Sequence, residues 1–294
     1  MTDILCIGSV LWDVIGRSPS TMRVGSDVPG RITRLPGGVA LNIAMTLRRF
    51  GLSPALLSVV GQDAEGRDLV EQCAGMGLET GFLYRSDDLP TDRYMAVEGQ
   101  NGLIAAIADA HSLEAAGAKI LTPLRDGRLG SAQAPYSGPI ALDGNLTVAL
   151  LREIAGDPAF DRADLRVAPA SPGKAKRLAP LLTHPGATLY VNLEEASILC
   201  HAKFTNASEA AKALLARGAR RVLVTNGGGQ AADGHADGVL TQTPPEVLVT
   251  RITGAGDTFM AAHIAAELRG ADRAAALDAA LDAAATYVSG DIGA

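Results

Sequence analysis

The sequence lacks an apolar run long enough to cross a membrane, and its first apolar run, residues 4–7, has neither the length nor the basic flank of a signal peptide. It also lacks a basic excess, because 26 lysines and arginines face 32 aspartates and glutamates, for a net charge of -6. This balance gives no electrostatic reason to expect a nucleic-acid partner. We therefore expect a cytoplasmic protein that binds neither membranes nor nucleic acids.

Cysteine is scarce, and Cys6, Cys73 and Cys200 lie in separate apolar segments without the spacing of a metal site. The five histidines are equally dispersed, and none forms a recognisable ligand pattern with a cysteine or a carboxylate. We expect buried cysteines that carry no chemistry, and no structural metal.

With 294 residues, of which 47% are hydrophobic, the chain is long enough to form a large core. Strand-like and helix-like segments alternate along most of it, which predicts a mainly parallel sheet covered by helices. The predicted strands are 4–8, 55–59, 140–142, 165–168, 188–191 and 221–225, followed by a hairpin over 230–241. The predicted helices are 39–50, 65–76, 146–155, 173–182, 194–200 and 207–217, with two more at the end.

Residues 82–107 interrupt this alternation with three short strand-like segments, 82–84, 94–97 and 103–107, that have no helices between them. Together with residues 31–35 they predict a small separate sheet. Ligands of open α/β sheets bind beyond the carboxyl ends of the strands, where such a sheet can act as a lid. We expect one domain with a lid formed by about residues 14–36 and 82–108.

The run from Gly254 to Asp257 is the most informative part of the sequence. Residues 248–252 have the pattern of a strand end, and residues 258–268 that of an alanine-rich helix. The two glycines between them let the backbone approach a ligand, and the amino end of a helix favours an anion. Asp257 would then take a proton from an attacking hydroxyl. The alternative is a tight turn in which Asp257 only caps the helix, and this run alone does not decide between the two.

A second glycine cluster, Gly37 and Gly38, stands directly before a predicted helix, with Asn42 in its first turn. Glycines at this position let the backbone approach a polar ligand, and an asparagine can both donate to and accept from sugar hydroxyls. The alternative is a plain junction of loop and helix with a solvated Asn42.

These two clusters resemble the ribokinase-like (PfkB) family of sugar and nucleoside kinases. The family's amino-terminal pattern is matched by Gly37, Gly38, Ala40, Asn42 and Ala44, and its carboxy-terminal Gly-Ala-Gly-Asp by residues 254–257. Between them, residues 192–195 are similar to its Asn-x-x-Glu motif and residues 224–229 to its nucleotide segment. Four motifs in the expected order span nearly the whole chain, so a chance match is very improbable.

The resemblance implies a three-layer α/β fold with a small β-sheet lid, and transfer of a phosphoryl group from ATP to a hydroxymethyl group. Asp257 would be the base. Its backbone N–H, with those of Ala255 and Gly256 after Gly254, would stabilise charge on the transferred group.

The resemblance also assigns the remaining site residues. Asp13 would hold a sugar diol beside the Gly37, Gly38 and Asn42 cluster. Asn192 and Glu195 would bind the nucleotide side of the site, with Glu195 positioning Mg²⁺ indirectly through waters; the alternative for Glu195 is an acid in the first turn of a helix. The nucleotide segment contributes Thr225, Gly227 and Gly229.

One departure from the family pattern stands just before the Gly254 to Asp257 run. The family commonly has Asp-Thr there, often tied to a monovalent-cation loop, whereas this chain has Arg251 and Ile252. A guanidinium cannot ligate a cation, so dependence on a monovalent cation is doubtful.

The substrate is inferred from weaker features. Segments 91–94, 103–109, 142–146 and 168–175 are similar to the pseudouridine kinase branch, which implies phosphorylation of the nucleoside 5'-hydroxyl. Arg93, Tyr94, Gln100 or Asn101 of the lid would read the base, and Arg93 is the one we assign to substrate binding.

Other acceptors stay open, namely ribose, fructose and 2-keto-3-deoxygluconate, as does a sugar-binding or nucleoside-binding relative without turnover. Lys174 is expected to be a helix-surface residue, because its surroundings lack the first glycine of a P-loop. Exposed strand edges of the lid make a homodimer through that sheet plausible.

Overall fold

The computed structural model describes residues 2–290, which contain fourteen strands and eight α-helices. The strands are β1 (Ile4–Ile7), β2 (Leu11–Arg17), β3 (Arg31–Gly37), β4 (Pro54–Leu57), β5 (Val59–Gly61), β6 (Tyr84–Ser86), β7 (Arg93–Gly99), β8 (Gly102–Asp109), β9 (Pro139–Asp143), β10 (Asp164–Ala168), β11 (Ala187–Asn192), β12 (Arg221–Asn226), β13 (Gly229–His235) and β14 (Gly238–Gln242). The helices are α1 (Val39–Arg49), α2 (Ala64–Gly75), α3 (His111–Ala116), α4 (Val148–Gly156), α5 (Leu193–Cys200), α6 (Ala207–Ala216), α7 (Ala255–Leu268) and α8 (Arg273–Ser289). Three 3₁₀ segments cover Gly117–Leu124, Pro158–Phe160 and Pro172–Leu181.

The main sheet contains eight strands in the order β14, β13, β12, β11, β10, β9, β1, β4. The six strands from β12 to β4 pair in parallel, whereas β13 and β14 add an antiparallel hairpin at one edge. The central strands are buried along their length, as expected of parallel strands that are covered on both faces. The predicted parallel sheet and edge hairpin are confirmed.

Successive side chains of β1 enter two different cores. Leu5 and Ile7 pack with the side of the sheet covered by α4, α5 and α6, whereas Ile4 and Cys6 pack with α1 and α7 on the other side. This alternation is the period of two of a β-strand, and it shows that helices cover both faces. The predicted three-layer α/β fold is confirmed.

The small sheet has four strands in the order β3, β2, β7, β8. Strand β2 belongs to it, although no strand was predicted at residues 11–17. The segment predicted as a strand at 82–84 does not, because β6 begins at Tyr84 and pairs in parallel with β5 in a separate two-stranded sheet. Strand β3 ends at Gly37, immediately before α1, so the small sheet is joined directly to a predicted substrate site.

Three local predictions differ from the structure. Within the described residues, 243–254 contain no strand, and Leu248 is 82% exposed, because this segment runs as a loop along α8 and not inside the sheet. Residues 172–181 form a 3₁₀ helix and not an α-helix, with Pro172 at its start and Pro180 inside it. Helix α3 and the 3₁₀ segment after it were not predicted. In the described part of the chain, no helix has the length and apolar character to span a membrane.

Candidate active site

The two glycine clusters meet at the carboxyl ends of the parallel strands, where α1 and α7 pack together. The Asn42 side chain donates through Nδ2 to Oδ2 of Asp257 over 3.1 Å, although 215 positions separate the two residues in the sequence. The structure therefore brings together the predicted sugar-binding asparagine and the predicted base.

Asp257 lies in the first turn of α7, which begins at Ala255. Burial, assisted by the nearby carboxylates of Asp143, Asp13 and Glu195, raises the pKa of Asp257 to about 7, although the hydrogen bond from Asn42 opposes this shift. A carboxyl with a pKa near neutrality is suited to accept a proton at physiological pH. The cap position of α7 is occupied by Gly254, and the Asp257 carboxylate bonds to Asn42, a side chain of another helix, a contact that a plain helix cap does not require.

Gly254 is required by the turn into α7. Its φ of 89° lies in the left-handed region, and a Cβ there would come within 2.6 Å of the Tyr287 hydroxyl oxygen. The glycine therefore lets the chain turn into the helix directly beside α8, with the first N–H groups of α7 at the turn.

Asp13 of β2 lies over the Gly37 and Gly38 pair. A Cβ on Gly37 would overlap the Asp13 carboxyl group, and one on Gly38, whose φ is 98°, would lie 2.5 Å from the carbonyl oxygen of Ser9. Burial raises the pKa of Asp13 to about 6. Gly37 thus makes room for the Asp13 carboxylate just before α1, where it can accept hydrogen bonds from sugar hydroxyls, and Gly38 makes room for the backbone of Ser9.

A buried polar cluster beneath this site was not predicted. Asp143, at the end of β9, is fully buried, and its Oδ2 accepts from Ser9 N over 2.7 Å, Ser9 Oγ over 2.6 Å and Ala40 N over 3.2 Å. The cluster fixes the start of α1 against the sheet. A signal for it was present, since Asp143, Gly144 and Asn145 follow a predicted strand, but it suggested only a family branch.

Lys174 differs from its prediction as a helix-surface residue. It is half-buried, and its Nζ donates to Oδ1 of Asn145, whose Nδ2 in turn donates to Ser9 Oγ over 3.0 Å. Burial lowers the pKa of Lys174, Asp143 opposes that effect, and Arg177 adds to it. This lysine is therefore part of the polar cluster next to the substrate side of the site.

The nucleotide motifs are neighbours at the ends of β11 and β12, where Asn192 pairs in register with Thr225. Asn192 and Glu195 form a reciprocal capping box at the start of α5: Glu195 N donates to Asn192 Oδ1 over 2.9 Å and Asn192 N to Glu195 Oε2 over 2.8 Å. The helix-start role of Glu195 is thus real, and burial also raises its pKa to about 7.

The turn from β12 to β13 contains the predicted nucleotide glycines. Gly227 has a φ of 55°, and a Cβ on Gly229 would lie 2.9 Å from the Asn226 amide nitrogen. Gly227 and Gly228 are exposed in this tight turn, so a phosphate or sugar can approach the backbone closely beside Thr225.

The structure does not bring Arg93 to the side of Asp13. Tyr94 pairs in register with Asp13, so Arg93, one position earlier, lies on the opposite face of the small sheet, and its Nη2 is 3.0 Å from Oε2 of Glu65. The Asp13 carboxylate contributes to the raised pKa of Tyr94, after burial. Of the four residues proposed to read a base, Tyr94 is the one on the Asp13 face near the site.

Gln100 and Asn101 lie at the tip of the small sheet. Gln100 accepts from Thr21 over 3.3 Å, and Asn101 bonds to both backbone groups of Met22. These contacts hold the tip together.

A metal would not be held by side chains alone. Among residues 2–290, no group of three or more His, Cys, Asp or Glu side chains is arranged to bind one. Glu195 is a buried carboxylate whose charge acts on Asp257. A carboxylate of this kind suits a Mg²⁺ ion that is bound to phosphate and contacted through water. The residues present therefore fit a metal that enters with the nucleotide.

Asp257, whose pKa is raised, lies at the amino end of a helix beside a glycine turn, and a second buried carboxylate, Asp13, lies on the acceptor side. This arrangement is the one expected of a phosphotransferase that acts on a hydroxyl group. The chain belongs to the pfkB family of carbohydrate kinases, whose family model matches residues 1–291. The acceptor in this family is a sugar or nucleoside hydroxyl, and the phosphoryl donor of ribokinase-like kinases is ATP.

Individual relatives are distant. The chain is 28% identical over 270 residues to an uncharacterized sugar kinase of Escherichia coli (strain K12), covering 90% of this chain and 72% of the relative. It is 27% identical over 263 residues to the pseudouridine kinase of the same organism, covering 88% and 81%. Among solved structures, a ribokinase of Arabidopsis thaliana complexed with ribose and ATP aligns with a TM-score of 0.80 at 20% identity, over 98% of this chain and 93% of that one.

Proposed function

We propose that the protein transfers the γ-phosphoryl group of ATP to the 5'-hydroxyl of a nucleoside, and that pseudouridine is its preferred acceptor. The observation that carries the proposal is the Asn42 to Asp257 contact of 3.1 Å, which joins a sugar-binding residue to a base of suitable pKa. Asp257 accepts the proton of the substrate's 5'-hydroxyl. The 5'-oxygen then forms a bond to the γ-phosphorus, and the bond from that phosphorus to the leaving ADP breaks.

The amino end of α7 supplies the electrostatic part of the reaction. The N–H groups of Gly256 and Asp257, which follow the turn at Gly254, lie in the first turn of α7, where a helix offers them no carbonyl partner, and they carry partial positive charge. The N–H of Ala255, which was expected to share this role, donates to the carbonyl oxygen of Ile252 over 3.0 Å. Charge on the transferred phosphoryl oxygens is therefore stabilised where it is greatest.

ATP would extend from this turn to a cavity of about 610 Å³ between residues 245–248 and the last turns of α8. The cavity is lined by Pro245, Val247, Leu248, Asp282, Ala285, Thr286 and Ser289. Thr225, Gly227, Gly229 and Asn192 would contact the nucleotide, and Glu195 would orient the waters of Mg²⁺. The ion, when bound, neutralises charge on the phosphates.

On the acceptor side, Asp13 would accept from two adjacent ribose hydroxyls over Gly37 and Gly38, while Asn42 holds the sugar near Asp257. Arg93 was assigned to the substrate from the sequence; its ion pair with Glu65 favours Tyr94 as the lid residue that meets the base. Lys174, half-buried beside Asn145, is a further donor for a carbonyl oxygen of a uracil ring.

The similarity to a pseudouridine kinase is no closer than that to a sugar kinase, so a panel of acceptors tests the proposal. Formation of ADP would be measured with Mg²⁺ and ATP and with pseudouridine, uridine, adenosine, ribose, fructose or 2-keto-3-deoxygluconate. We expect the highest kcat/KM with pseudouridine. Turnover of a free sugar but not of pseudouridine would remove the substrate assignment alone. Binding of a ligand without turnover of any acceptor would replace the kinase by a non-catalytic relative.

We also propose a homodimer through the small sheet, in the cytoplasm. Ile32, Met95 and Ile107 of this sheet are 79%, 46% and 61% exposed, and the strand register places them on one face. An apolar face of this kind is costly to leave in water and favours pairing with a second copy.

A further inference from the structure

The loop before the Gly254 to Asp257 run is fastened to the last turn of α8. Thr250 donates to the carbonyl oxygen of Val288 from its N–H over 2.8 Å and from its hydroxyl over 3.1 Å, and Arg251 N donates to the same oxygen over 3.3 Å. The Tyr287 hydroxyl donates in return to the carbonyl oxygen of Thr253 over 2.8 Å.

The side chain of Arg251 forms the centre of this attachment. Its Nε donates to the carbonyl oxygen of Tyr287 over 2.7 Å, and its guanidinium carbon lies 3.9 Å from the centroid of the Tyr287 ring. The carbonyl end of a helix carries partial negative charge, and aromatic faces attract a guanidinium. Arg251 thus places a fixed positive charge at the carboxyl end of α8.

Tyr287 passes this attachment on to the anion turn. Its hydroxyl group lies so close to Gly254 that a Cβ there would be within 2.6 Å of it. Residues 251–253 are themselves exposed, so buried side chains contribute little to fixing the loop. The position of the turn, and of the α7 N–H groups that follow it, depends on the contacts to α8.

We propose that Arg251 is a positioning residue for phosphoryl transfer: it clamps the loop 250–254 onto α8 and so holds the anion-binding N–H groups of α7 in place. The proposal rests on the kinase function proposed above. Because the guanidinium already supplies the cation that the α8 carbonyls attract, the enzyme should work without an added monovalent cation. A neutral residue at position 251 should create a demand for one.

The test compares Arg251→Met with Arg269→Met. Arg269 is a matched control, since it is also an exposed arginine that donates to a backbone carbonyl, that of Phe50, but at the opposite end of α7 from Asp257. Hydrogen exchange of peptides covering residues 250–257 would be measured without substrate. We expect exchange of these peptides to be about tenfold faster in Arg251→Met than in the wild type and unchanged in Arg269→Met. The loss of a charge-assisted hydrogen bond frees the loop only in the first variant.

Kinetics give the second measurement. For Arg251→Met we expect kcat to fall about tenfold with little change in KM for the acceptor, because the interaction acts on the transition-state site. Potassium, or guanidinium at a concentration too low to denature the protein, should restore part of the lost kcat of Arg251→Met when compared with choline at equal ionic strength. The kcat of the wild type should be unchanged. Arg251→Lys should retain more activity than Arg251→Met.

Normal exchange and normal kcat in Arg251→Met would overturn the proposal. So would a change confined to KM for ATP with normal exchange, because Arg251 would then be a direct nucleotide contact. If the wild type phosphorylates no acceptor, the kinase function fails, but the exchange comparison still decides whether Arg251 holds the loop, since it needs no substrate.

Discussion

Replacing Asp257 by asparagine should abolish turnover and at the same time stabilise the protein. The substitution keeps the shape and a partner for Asn42 but removes the proton acceptor, so kcat should fall by about 10² to 10⁴ while ATP binding is largely retained. The gain in stability distinguishes a general base from a helix cap, because loss of a cap would instead lower the stability by about 1 kcal/mol.

The stability change follows from the pKa of Asp257. It is about 7 in the folded protein against an ordinary value of 3.8. Between these values the unfolded carboxyl has lost its proton while the folded one keeps it, so stability falls as pH rises, and the full effect is present above pH 7. A difference of this size corresponds to about 4 kcal/mol at a site closed to water, and partial access of solvent to Asp257 reduces it to about 2 kcal/mol.

The assay is thermal or urea unfolding of wild type and Asp257→Asn at pH 5 and pH 8, beside kcat with the best acceptor. The variant should be the more stable protein at pH 8 by about 2 kcal/mol, with a smaller difference at pH 5. Other carboxyl groups with raised pKa values, such as that of Glu195, are present in both proteins, so their contributions to the stability difference cancel. Near-normal turnover would refute the assignment of the base, and a variant less stable at pH 8 would show that Asp257 serves the helix.

Three further predictions concern the same site and the small sheet. The acid limb of the pH profile of kcat/KM should have its midpoint near pH 7, where Asp257 loses its proton. Asn42→Ala should move this midpoint to higher pH, because the hydrogen bond that lowers the pKa of Asp257 is lost. An unmoved midpoint would show that another group titrates. Gly37→Ala should raise KM for the acceptor at least about tenfold with KM for ATP unchanged, since the new Cβ displaces Asp13; equal changes in both constants would contradict a local sugar site. Ile107→Lys should convert a dimer to a monomer in light scattering, and an unchanged mass would place any interface elsewhere.

The layers of the fold follow from features that are local in the sequence. The alternation of β1 between two cores and the glycine turns before α1 and α7 are set by strand period and by backbone freedom, so they can be predicted from the residues alone. The same local rules misplace residues 248–252, because this apolar segment is held by hydrogen bonds to α8 as an exposed loop and does not join the sheet.

What the sequence does not reveal are contacts between distant elements. Asp143 resembles any aspartate after a strand until Ser9 and the start of α1 are placed around it. The choice between Arg93 and Tyr94 depends on strand register, since a shift of one residue exchanges the two faces. Register is fixed here by pairing of β7 with β2, which no pattern within either segment encodes.

The contact between Asn42 and Asp257 also affects the order in which the site forms during folding. Its two partners are 215 positions apart, so closing this contact is among the slower, non-local steps of folding. During synthesis the residues of the acceptor half, Asp13 and Asn42, leave the ribosome long before Asp257 and its helix. A chain that lacks α7 has neither the base nor the helix against which α1 packs, so we expect catalysis to begin only when the last helices have docked.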